Sequence, residues 1–531
     1  MFVIMVRTFS QQNRQHFLNE MSSGELDLLI IGGGITGCGI ALDAANRGLK
    51  VGLLEMQDFA AGTSSRSTKL IHGGLRYLKQ LEIKLVKEVG RERAILHENA
   101  PHIVKPEPML LPLIKNGSFG KISTSFGLYV YDRLAQVKKQ ERRKMLSKEE
   151  ALKKEPLLRD EGLKGAGLYY EYQTDDARLT LEVVKTAFSL GANAVNYCGV
   201  EELIYNESGK VNGGVAFDSI SGKTHHIYAK KIVNATGPWV DSIRKQDRSL
   251  TGKHLHVTKG VHIVVDQKRF PLRQAMYFDV EDGRMIFAIP RADKTYIGTT
   301  DTTYRGDLAD PTVSIEDKNY LIKATNNMFP SINISVDDIE SSWAGLRPLI
   351  HEEGKSPSDL SRKDEIFLSN SGLITIAGGK LTGFRKMAEK TVNLVVKQLA
   401  EEYRGSYPRC ETQHITLSGG DVGGANRWEN FVKEKLELAS KIGFEKKKAW
   451  TLIHRYGTNV DKVFERFVEL NKYRFNTECE LKAELYYCVE EEMVVKAEDY
   501  LIRRTGDYYF NWRKSMNRSD LVNRLLYMIQ K

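Results

Sequence analysis

The sequence is poor in cysteine and contains no long apolar run. Its five cysteines are scattered through 531 residues without a CxxC pair, which argues against a disulfide framework and is typical of a reducing compartment. No uncharged stretch reaches the roughly 18 residues of a membrane-spanning helix, since five glycines interrupt the most apolar segment, residues 28–42. The six apolar residues at the start are too few for the core of a signal peptide. We therefore expect a cytoplasmic protein that does not span a membrane.

Several common chemical motifs are also missing. The sequence has no Walker A loop, no GxSxG motif and no recognised nucleic-acid-binding motif. His225 and His226 would point to opposite faces of a strand, so we predict no metal site. A hydrophobic fraction of 41%, a charged fraction of 27% and a net charge of +10 describe an ordinary globular protein. The length predicts roughly two to four domains.

A dinucleotide-binding fingerprint lies near the N-terminus. The apolar strand 27–31 runs into Gly32-Gly-Gly-Ile-Thr-Gly37 and then into an apolar helix. Gly32 permits the tight turn, Gly34 permits the approach of a pyrophosphate, and Gly37 permits close packing of helix and strand. The helix N-terminus offers N–H groups to the anion, at Ile35 and Thr36. The second strand ends at Glu55, which would accept hydrogen bonds from a ribose hydroxyl.

The segment that follows favours FAD over NAD. No second GxGxxG is present, so an enzyme that holds both FAD and NAD(P)H is not supported. Residues 60–77 combine small hydroxyl side chains with a glycine pair, which is typical of a polar, close-fitting loop and not of another amphipathic helix. Such a loop suits a bulky planar group that extends beyond the nucleotide.

A series of motifs in order along residues 27–510 resembles the FAD-dependent glycerol-3-phosphate dehydrogenases of bacteria and mitochondria, within the wider D-amino-acid-oxidase-like flavoprotein group. The similar strings are Ser67-Thr-Lys-Leu-Ile-His-Gly-Gly-Leu-Arg-Tyr-Leu78, Asp175-Asp-Ala-Arg-Leu179, Val233-Asn-Ala-Thr-Gly-Pro-Trp-Val240, Lys259-Gly-Val-His-Ile-Val264, Ile297-Gly-Thr-Thr-Asp301, Gly345-Leu-Arg-Pro-Leu349, Gly378-Gly-Lys-Leu-Thr382, Ala483-Glu-Leu-Tyr-Tyr-Cys-Val-Glu-Glu-Glu-Met493 and Arg503-Arg-Thr505.

This resemblance implies oxidation of sn-glycerol 3-phosphate to dihydroxyacetone phosphate by hydride transfer to FAD, with electrons passed to a membrane quinone. A glycerol-3-phosphate oxidase that uses O2 is the nearest competing function, but the oxidases carry an insertion for which the spacing between Thr300 and Gly345 leaves no obvious room. An amine or amino-acid oxidase of the same fold and a flavin-binding protein without activity are two further candidates. The resemblance leaves a homodimer open.

The resemblance also implies the residues of the active site. The catalytic set is His262, Arg347 and Lys380, in which the histidine is the candidate base because its ordinary pKa suits proton abstraction. These three roles could be exchanged without contradicting the sequence. The substrate-binding set, chosen for cations that grip phosphate and for polar wall residues, is Arg76, Tyr77, Arg362 and Thr382.

Further cofactor contacts follow from the same comparison. The flavin diphosphate and ring would be lined by Thr63, Ser64, Ser65, Ser67, Lys69, His72 and Gly73, the adenine side by Ala235 and Gly237, and the flavin pyrimidine by Gly379 and Leu381. A covalent link through His72 is conceivable, but the resemblance implies a non-covalent flavin.

The fold class expected is α/β, or α+β overall: a Rossmann-like FAD domain, an antiparallel substrate sheet and an all-α C-terminal domain. After an extension over residues 1–26, the FAD domain would lie within 27–417, in pieces at about 27–105, 150–200, 228–245 and 365–400. The substrate sheet would take residues 200–228 and 250–350, and the helices residues 425–531. The glycine-rich segment 418–424 reads as a linker.

One surface feature suggests where the protein meets a membrane. Residues 138–144 hold five cations in seven positions, after an apolar stripe at helical spacing: Ile122, Phe126, Val130, Leu134 and Val137. Such a stripe either packs on the core or lies on an anionic bilayer. With a quinone acceptor we favour the second reading, which places the enzyme on the inner face of the cell membrane.

Overall fold

The computed structural model describes residues 7–72, 83–115, 117, 120, 124–125, 127–130, 141–352, 363–472 and 478–530. In chain order the strands are β1 (Leu26–Ile31), β2 (Val51–Leu54), β3 (Leu70–Ile71), β4 (Lys105–Ile114), β5 (Lys144–Leu146), β6 (Leu163–Gln173), β7 (Asn193–Val195), β8 (Cys198–Tyr205), β9 (Val211–Asp218), β10 (Lys223–Asn234), β11 (Lys253–Asp266), β12 (Ala275–Asp279), β13 (Met285–Arg291), β14 (Lys294–Gly298), β15 (Thr302–Thr303), β16 (Ile339–Glu352), β17 (Glu365–Leu368) and β18 (Ile374–Ala377).

The α-helices are numbered in the same way. They are α1 (Arg14–Ser22), α2 (Ile35–Asn46), α3 (Ile83–Asn99), α4 (Lys148–Lys154), α5 (Asp176–Ser189), α6 (Val240–Gln246), α7 (Ile315–Met328), α8 (Phe384–Tyr403), α9 (Trp428–Lys441), α10 (Lys446–Tyr456), α11 (Val460–Asn471), α12 (Cys479–Glu491), α13 (Asp507–Phe510) and α14 (Trp512–Gln530). A π-helical turn, Asp499–Arg504, lies between α12 and α13.

The first sheet carries the fingerprint. Within the described residues its strand order is β17-β18-β10-β1-β2-β7. From β18 to β7 each strand pairs parallel with the next, and β17 pairs antiparallel with β18. Apart from the partly buried Asp27 in β1, strands β1 and β2 carry no polar side chain and are buried, as expected for strands covered on both faces. α2 packs between this sheet, α5 and α8, and Gly39 allows the close approach because a Cβ there would lie 2.8 Å from the Phe384 ring.

The second sheet is mostly antiparallel. Its order within the described residues is β15-β11-β14-β13-β12-β4-β6-β3, with β16 also paired to β11 and β5 to β6. One face packs with α7 in an apolar core that includes Val261, Ile263 and Leu321. The long β11 and β16 are the pair that extends toward the first sheet, with Gly260 opposite Gly345 and His262 opposite Trp343.

The C-terminal part is helical, and α9 to α14 enclose an apolar core of their own. The N-terminal extension lies between this part and the first sheet. Arg14 of α1 is buried and donates to the Asn196 carbonyl at 2.5 Å and to Asp218 at 2.7 Å. The Met493 N–H donates to the Phe9 carbonyl at 3.1 Å.

The architecture agrees with the predicted fold class, but the domain pieces differ from those predicted. Strand β9 pairs antiparallel with the first half of β10, and β8 pairs antiparallel with β9. These strands, which the sequence assigned to the substrate sheet as residues 200–228, therefore extend the first sheet. Strand β6, which lies in the predicted FAD-domain piece 150–200, pairs with β4, and β4 pairs with β12 in the second sheet. Paired strands can be remote in sequence, so the alternation of apolar and polar residues along one strand does not identify the sheet to which that strand belongs.

None of the helices that the structure describes is long and apolar enough to cross a membrane. Most of the apolar stripe falls outside the described residues, namely Ile122, Phe126, Leu134 and Val137, and so do Lys138 and Lys139 of the basic cluster. Of the described members of the cluster, Arg142 and Lys144 are exposed.

Candidate active site

The turn between β1 and α2 is built by its glycines. Gly32 has a φ of +110°, and a Cβ there would lie 2.6 Å from the Ala235 carbonyl oxygen on the neighbouring strand end. A Cβ on Gly37 would lie 1.9 Å from the Gly32 oxygen. Any side chain at these two positions would therefore push apart the first turn of α2 and the ends of the strands.

The N-terminus of α2 faces a hydroxyl-rich loop. The Ile35 N–H donates to the Ser64 Oγ at 2.9 Å, and a Cβ on Gly34 would lie 3.2 Å from the same oxygen. The first N–H groups of a helix have no carbonyl partner one turn earlier, so this hydroxyl takes a place that an anion could share. Thr63, beside it, donates to the Leu346 carbonyl on β16 at 2.8 Å, which joins the loop to the second sheet.

Glu55 lies at the end of β2, as the fingerprint predicts. Its carboxylate accepts the Gly33 N–H at 2.7 Å and the Gln57 N–H at 2.8 Å. Burial outweighs these two hydrogen bonds and raises the pKa of the carboxyl group to about 7. A buried carboxyl group with acceptor capacity left is suited to hydroxyl donors.

A cavity of about 570 Å3 opens beside these elements, within the size range of ligand pockets. Of the predicted cofactor and catalytic residues, the following line it: Gly32, Gly34, Ile35, Thr36, Glu55, Thr63, Ser64, Ser67, Ala235, Gly237, Gly379, Lys380 and Leu381. Gly37, Ser65, Lys69 and His72 are not among the lining residues. Gly37 packs against Gly32 instead, and Ser65 and Lys69 are buried behind the cavity wall.

Lys69 forms a buried ion pair. Its Nζ donates to Asp176 Oδ1 at 2.5 Å and to the Ser65 carbonyl at 3.0 Å, while the other Asp176 oxygen accepts the Ser67 N–H at 2.9 Å. Asp176 is fully buried and also lines the cavity. The pair therefore fixes the loop that follows Ser64, and Lys69 supports the wall without lining the cavity.

His262 lies on the face of β11 that is turned toward this loop. Its ring stacks on Trp343 at 4.7 Å between centroids and 11° between planes, and Nε2 lies 3.0 Å from the Thr68 hydroxyl. The ring fits because the residue opposite on β14 is Gly298, where a Cβ would lie 2.1 Å from the imidazole Cδ2. Burial, with the charges of Arg347 and Lys69 adding to it, lowers the pKa of His262 well below its usual value, so the imidazole is held neutral.

Arg347 lies on the same face of the β11–β16 pair, opposite Thr258 in register. Its guanidinium donates to the Thr300 carbonyl at 3.1 Å, to Asp301 at 3.2 Å and to the Thr299 hydroxyl at 3.0 Å, and it is partly exposed. It passes over Gly260, where a Cβ would lie 2.3 Å from Nη2. The guanidinium thus lies beside Gly260, two residues before His262 on β11, and two residues of a strand span roughly 7 Å.

Lys380 and Thr382 belong to the turn that precedes α8. Gly378 and Gly379, with φ of +75° and +81°, bring this turn close to β16 and α8, and Lys380 and Leu381 line the cavity. The Thr382 hydroxyl donates to the His72 carbonyl at 3.4 Å, so the turn meets the end of the hydroxyl-rich loop. Four of the predicted residues, Gly73, Arg76, Tyr77 and Arg362, lie outside the described residues.

Two side chains that the sequence did not single out complete the site. Trp343 provides the platform for His262 and donates its indole N–H to the Ser67 carbonyl at 3.3 Å. Asp176, described above, is the counter-charge of Lys69. Asp176 lies inside the string Asp175–Leu179 that resembles the family, and Trp343 lies two residues before the string Gly345–Leu349. Neither composition nor spacing, however, assigns a role to either residue.

Comparison with known protein families identifies this arrangement. A family model described as "FAD dependent oxidoreductase" matches residues 27–421, about three quarters of the chain. The chain belongs to this family. A second model, described as the C-terminal domain of alpha-glycerophosphate oxidase, matches residues 410–527. The predicted flavoprotein family, fold class and FAD cofactor are thereby confirmed.

Individual FAD-dependent oxidoreductases are similar over nearly the whole chain. An aerobic glycerol-3-phosphate dehydrogenase of Bacillus subtilis is 57% identical over 513 residues, 96% of this chain and 92% of the relative. One from Staphylococcus epidermidis is 54% identical over 516 residues, 97% of this chain and 93% of the relative. The crystal structure of a glycerol-3-phosphate dehydrogenase from Bacillus halodurans complexed with FAD superimposes with a TM-score of 0.84 at 49% identity, covering 98% of this chain and 93% of that one.

The residues present fit FAD. A Cβ on Gly34 would meet the Ser64 hydroxyl at 3.2 Å, so glycine keeps the α2 N-terminus uncrowded on the side of the cavity where a pyrophosphate would bind. Glu55, at one part of the wall, offers a carboxyl group to ribose hydroxyls, and the turn Gly378–Leu381 provides backbone and a cation at another. A polar lining at these places and apolar walls elsewhere match a ligand with a phosphate centre and two ring systems.

Proposed function

We propose that the protein oxidises sn-glycerol 3-phosphate to dihydroxyacetone phosphate. Bound FAD supplies the acceptor for the hydride that leaves C2 of the substrate. One observation carries the proposal: the buried imidazole of His262 and the guanidinium of Arg347 lie on one sheet face, next to the dinucleotide cavity that Lys380 lines. The similarity at 57% identity to a relative named aerobic glycerol-3-phosphate dehydrogenase supports the choice of substrate.

In this proposal His262 is the base. It is buried, and its lowered pKa keeps it neutral at physiological pH and ready to accept the proton of the C2 hydroxyl. Nδ1 is shielded from solvent and has no hydrogen-bond partner among the described residues, so Nε2, beside the Thr68 hydroxyl, is the nitrogen that would receive the proton. Trp343 holds the ring plane, which limits the directions from which the substrate hydroxyl can approach.

Arg347 binds the substrate's negative charge. Its guanidinium is partly exposed and offers a planar pair of donors, the geometry that suits a phosphate dianion. Arg76, Tyr77 and Arg362 are proposed to complete the phosphate site, and Thr382 to form part of its wall. Lys380 would place its charge near the C2 oxygen, where negative charge develops as the hydroxyl proton leaves.

We further propose that the electrons pass to a membrane quinone and that the protein docks peripherally through residues 122–144. The relatives are named dehydrogenases and not oxidases, and Arg142 and Lys144 are exposed. The variant carrying Lys138→Glu, Lys139→Glu, Arg142→Glu and Arg143→Glu is expected to leave vesicles of anionic lipid. Equal binding of variant and wild type would refute this docking site.

The substrate is tested in one anaerobic cuvette. The purified, flavin-containing protein is mixed with sn-glycerol 3-phosphate, and its visible flavin absorbance should bleach. Glycerol and amino acids should leave it unchanged, because neither offers Arg347 a phosphate. Air is then admitted: slow return of the colour supports a dehydrogenase, and rapid return an oxidase.

A matched variant separates binding from proton transfer. Arg347→Gln should retain flavin yet need far more sn-glycerol 3-phosphate for bleaching, whereas His262→Gln should bleach slowly at every concentration. A flavin spectrum that never bleaches in the wild type would reject the proposed substrate while leaving the FAD assignment intact.

A further inference from the structure

No described residue of the C-terminal helical part lines the FAD cavity. This part does, however, contact two stretches of chain that line it. The described lining residues all precede Ala388. Behind the wall formed by residues 55–57 and 197–201 lies the segment Glu492–Arg504, which follows α12 and includes the π-helical turn. Its charged side chains Asp499, Arg503 and Arg504 are buried, and they bond to that wall or to Asp58 directly after it.

The first of these contacts is made to Tyr197. Its side chain lines the cavity, and its hydroxyl donates to Asp499 Oδ1 at 2.5 Å. Lys496 Nζ lies 4.5 Å from the centre of the same ring, within cation–π distance. Tyr197 also has a φ of +55°, a left-handed conformation that costs a non-glycine residue free energy and must be maintained by its surroundings.

The second contact is made to Asp58, just after Glu55, Met56 and Gln57 of the cavity wall. Its carboxylate is fully buried and accepts Arg503 Nε at 2.5 Å and Arg504 Nη1 and Nη2 at 2.5 and 2.9 Å. Burial would raise the pKa of Asp58, but the two arginines outweigh it and lower the pKa to about 2. The charge is therefore permanent at physiological pH, and its position depends on the arginines.

The two stretches are also bonded to each other. The Tyr197 N–H donates to the Gln57 carbonyl at 2.7 Å, and the Cys198 N–H to the Glu55 carbonyl at 2.8 Å. The Asn196 amide donates to Asp58 at 3.0 Å and to the Met493 carbonyl at 3.0 Å. A shift at Asp58 or at Tyr197 is thus transmitted through short, buried bonds to Glu55, which we assign to the ribose.

We propose that the segment Glu492–Arg504 positions the nucleotide end of the FAD site, so that docking of the helical C-terminal part and binding of FAD stabilise each other. Tyr197, Asp58, Asp499, Arg503 and Arg504 are the positioning residues. Such coupling is reciprocal: the factor by which docking raises FAD affinity is the factor by which FAD favours docking. The proposal concerns the cofactor alone and does not depend on the identity of the substrate.

The reciprocal effect can be measured on the unaltered protein. The N–H groups of Val495 and Lys496 both donate to Asp499 Oδ2 at 2.9 Å, so their exchange with deuterium reports on Asp499. Adding FAD to flavin-stripped protein should slow exchange of these amides, while the amides of α11, in the same helical part but away from the wall, serve as the control. Equal exchange with and without FAD would overturn the proposal.

The direct effect is measured by titrating flavin-stripped variants with FAD and following flavin fluorescence. Tyr197→Phe removes the hydroxyl and leaves the ring. It should weaken FAD binding about tenfold, the change in affinity that corresponds to the loss of one hydrogen bond to a charged group. Asp499→Ala should weaken it at least as much.

The control is Phe444→Leu. Phe444 is buried in the helical core, where its ring packs against Phe464 and Phe467 at 5.2 and 4.7 Å between centroids, and none of its ring contacts among the described residues is made to the segment Glu492–Arg504. The variant should reduce the stability of the helical part without changing FAD affinity. Wild-type affinity in Tyr197→Phe would refute the proposal, as would an equal loss in Phe444→Leu. If a variant fails to fold, the exchange measurement on the wild type decides the question.

Discussion

Replacing Gly298 by alanine tests whether the position of the His262 ring matters for the reaction. Gly298 lies directly opposite His262 in the β11–β14 pair, and the added Cβ would lie 2.1 Å from the ring Cδ2 and 2.6 Å from Nε2. Carbon atoms pack at about 3.5 Å or more. The ring must therefore move by roughly 1.4 Å, or the two strands must separate.

The expected effect on activity follows from that displacement. The imidazole is confined by Trp343, so a movement of this size takes Nε2 away from the Thr68 hydroxyl, now at 3.0 Å. A misplacement of about 1 Å in a reacting group can cost on the order of 100-fold in rate. Overpacking itself should reduce the free energy of unfolding by about 1–3 kcal/mol. FAD affinity should not change, because neither residue lines the cavity.

The assay is the anaerobic rate of flavin bleaching at saturating sn-glycerol 3-phosphate, with FAD affinity and urea unfolding measured on the same preparation. Gly24→Ala is the matched control, since a Cβ there would meet only Lys50 Nζ at 3.5 Å. A Gly298→Ala protein that binds FAD and reacts at the wild-type rate would refute the assignment of His262 as a positioned base.

Three further predictions concern other parts of the site. Gly260→Ala would place a Cβ 2.3 Å from Arg347 Nη2 and so displace a charged hydrogen-bond donor. The KM for sn-glycerol 3-phosphate should rise about tenfold or more, with FAD affinity unchanged. A normal KM would argue against Arg347 as the phosphate contact. Asp176→Asn leaves Lys69 buried without its counter-charge and should lower the free energy of unfolding by about 3–5 kcal/mol in urea. Lys253→Met, at the partly exposed pair with Glu365, should lower it much less, because water screens that pair. Because the pKa of His262 is lowered on folding, the unfolded chain binds the extra proton, so stability should fall as the pH drops below about 6.5, by up to about 1.4 kcal/mol per pH unit. His262→Gln should remove that part of the pH dependence from urea unfolding, and identical slopes in the two proteins would contradict the lowered pKa.

Local patterns predicted the parts of the site that are themselves local. The turn at Gly32–Gly37, with Glu55 at the end of the next strand, follows from a short stretch of sequence, and the structure places both where the pattern indicates. The helical C-terminal part could likewise be predicted from apolar spacing along single helices.

The remainder depends on contacts between distant residues. The stacking of His262 on Trp343 is a cross-strand contact between residues 81 positions apart (343 minus 262), and the Lys69–Asp176 pair spans 107 positions. The placement of β8 and β9 failed for the same reason, because β10 changes from antiparallel to parallel pairing halfway along its length. Alternation of apolar residues looks the same in both halves.

The N-terminal extension has a consequence for the order in which the protein matures. Arg14 precedes its partners Asn196 and Asp218 by 182 and 204 residues along the chain, and the N–H that binds the Phe9 carbonyl belongs to Met493. Domains generally fold as units in the order of their synthesis. Here that order is interrupted, because α1 is held by residues of the first sheet's far side and Phe9, just before it, by Met493. The extension and the buried Asp58 can therefore reach their final contacts only after Met493, Arg503 and Arg504 have been synthesised.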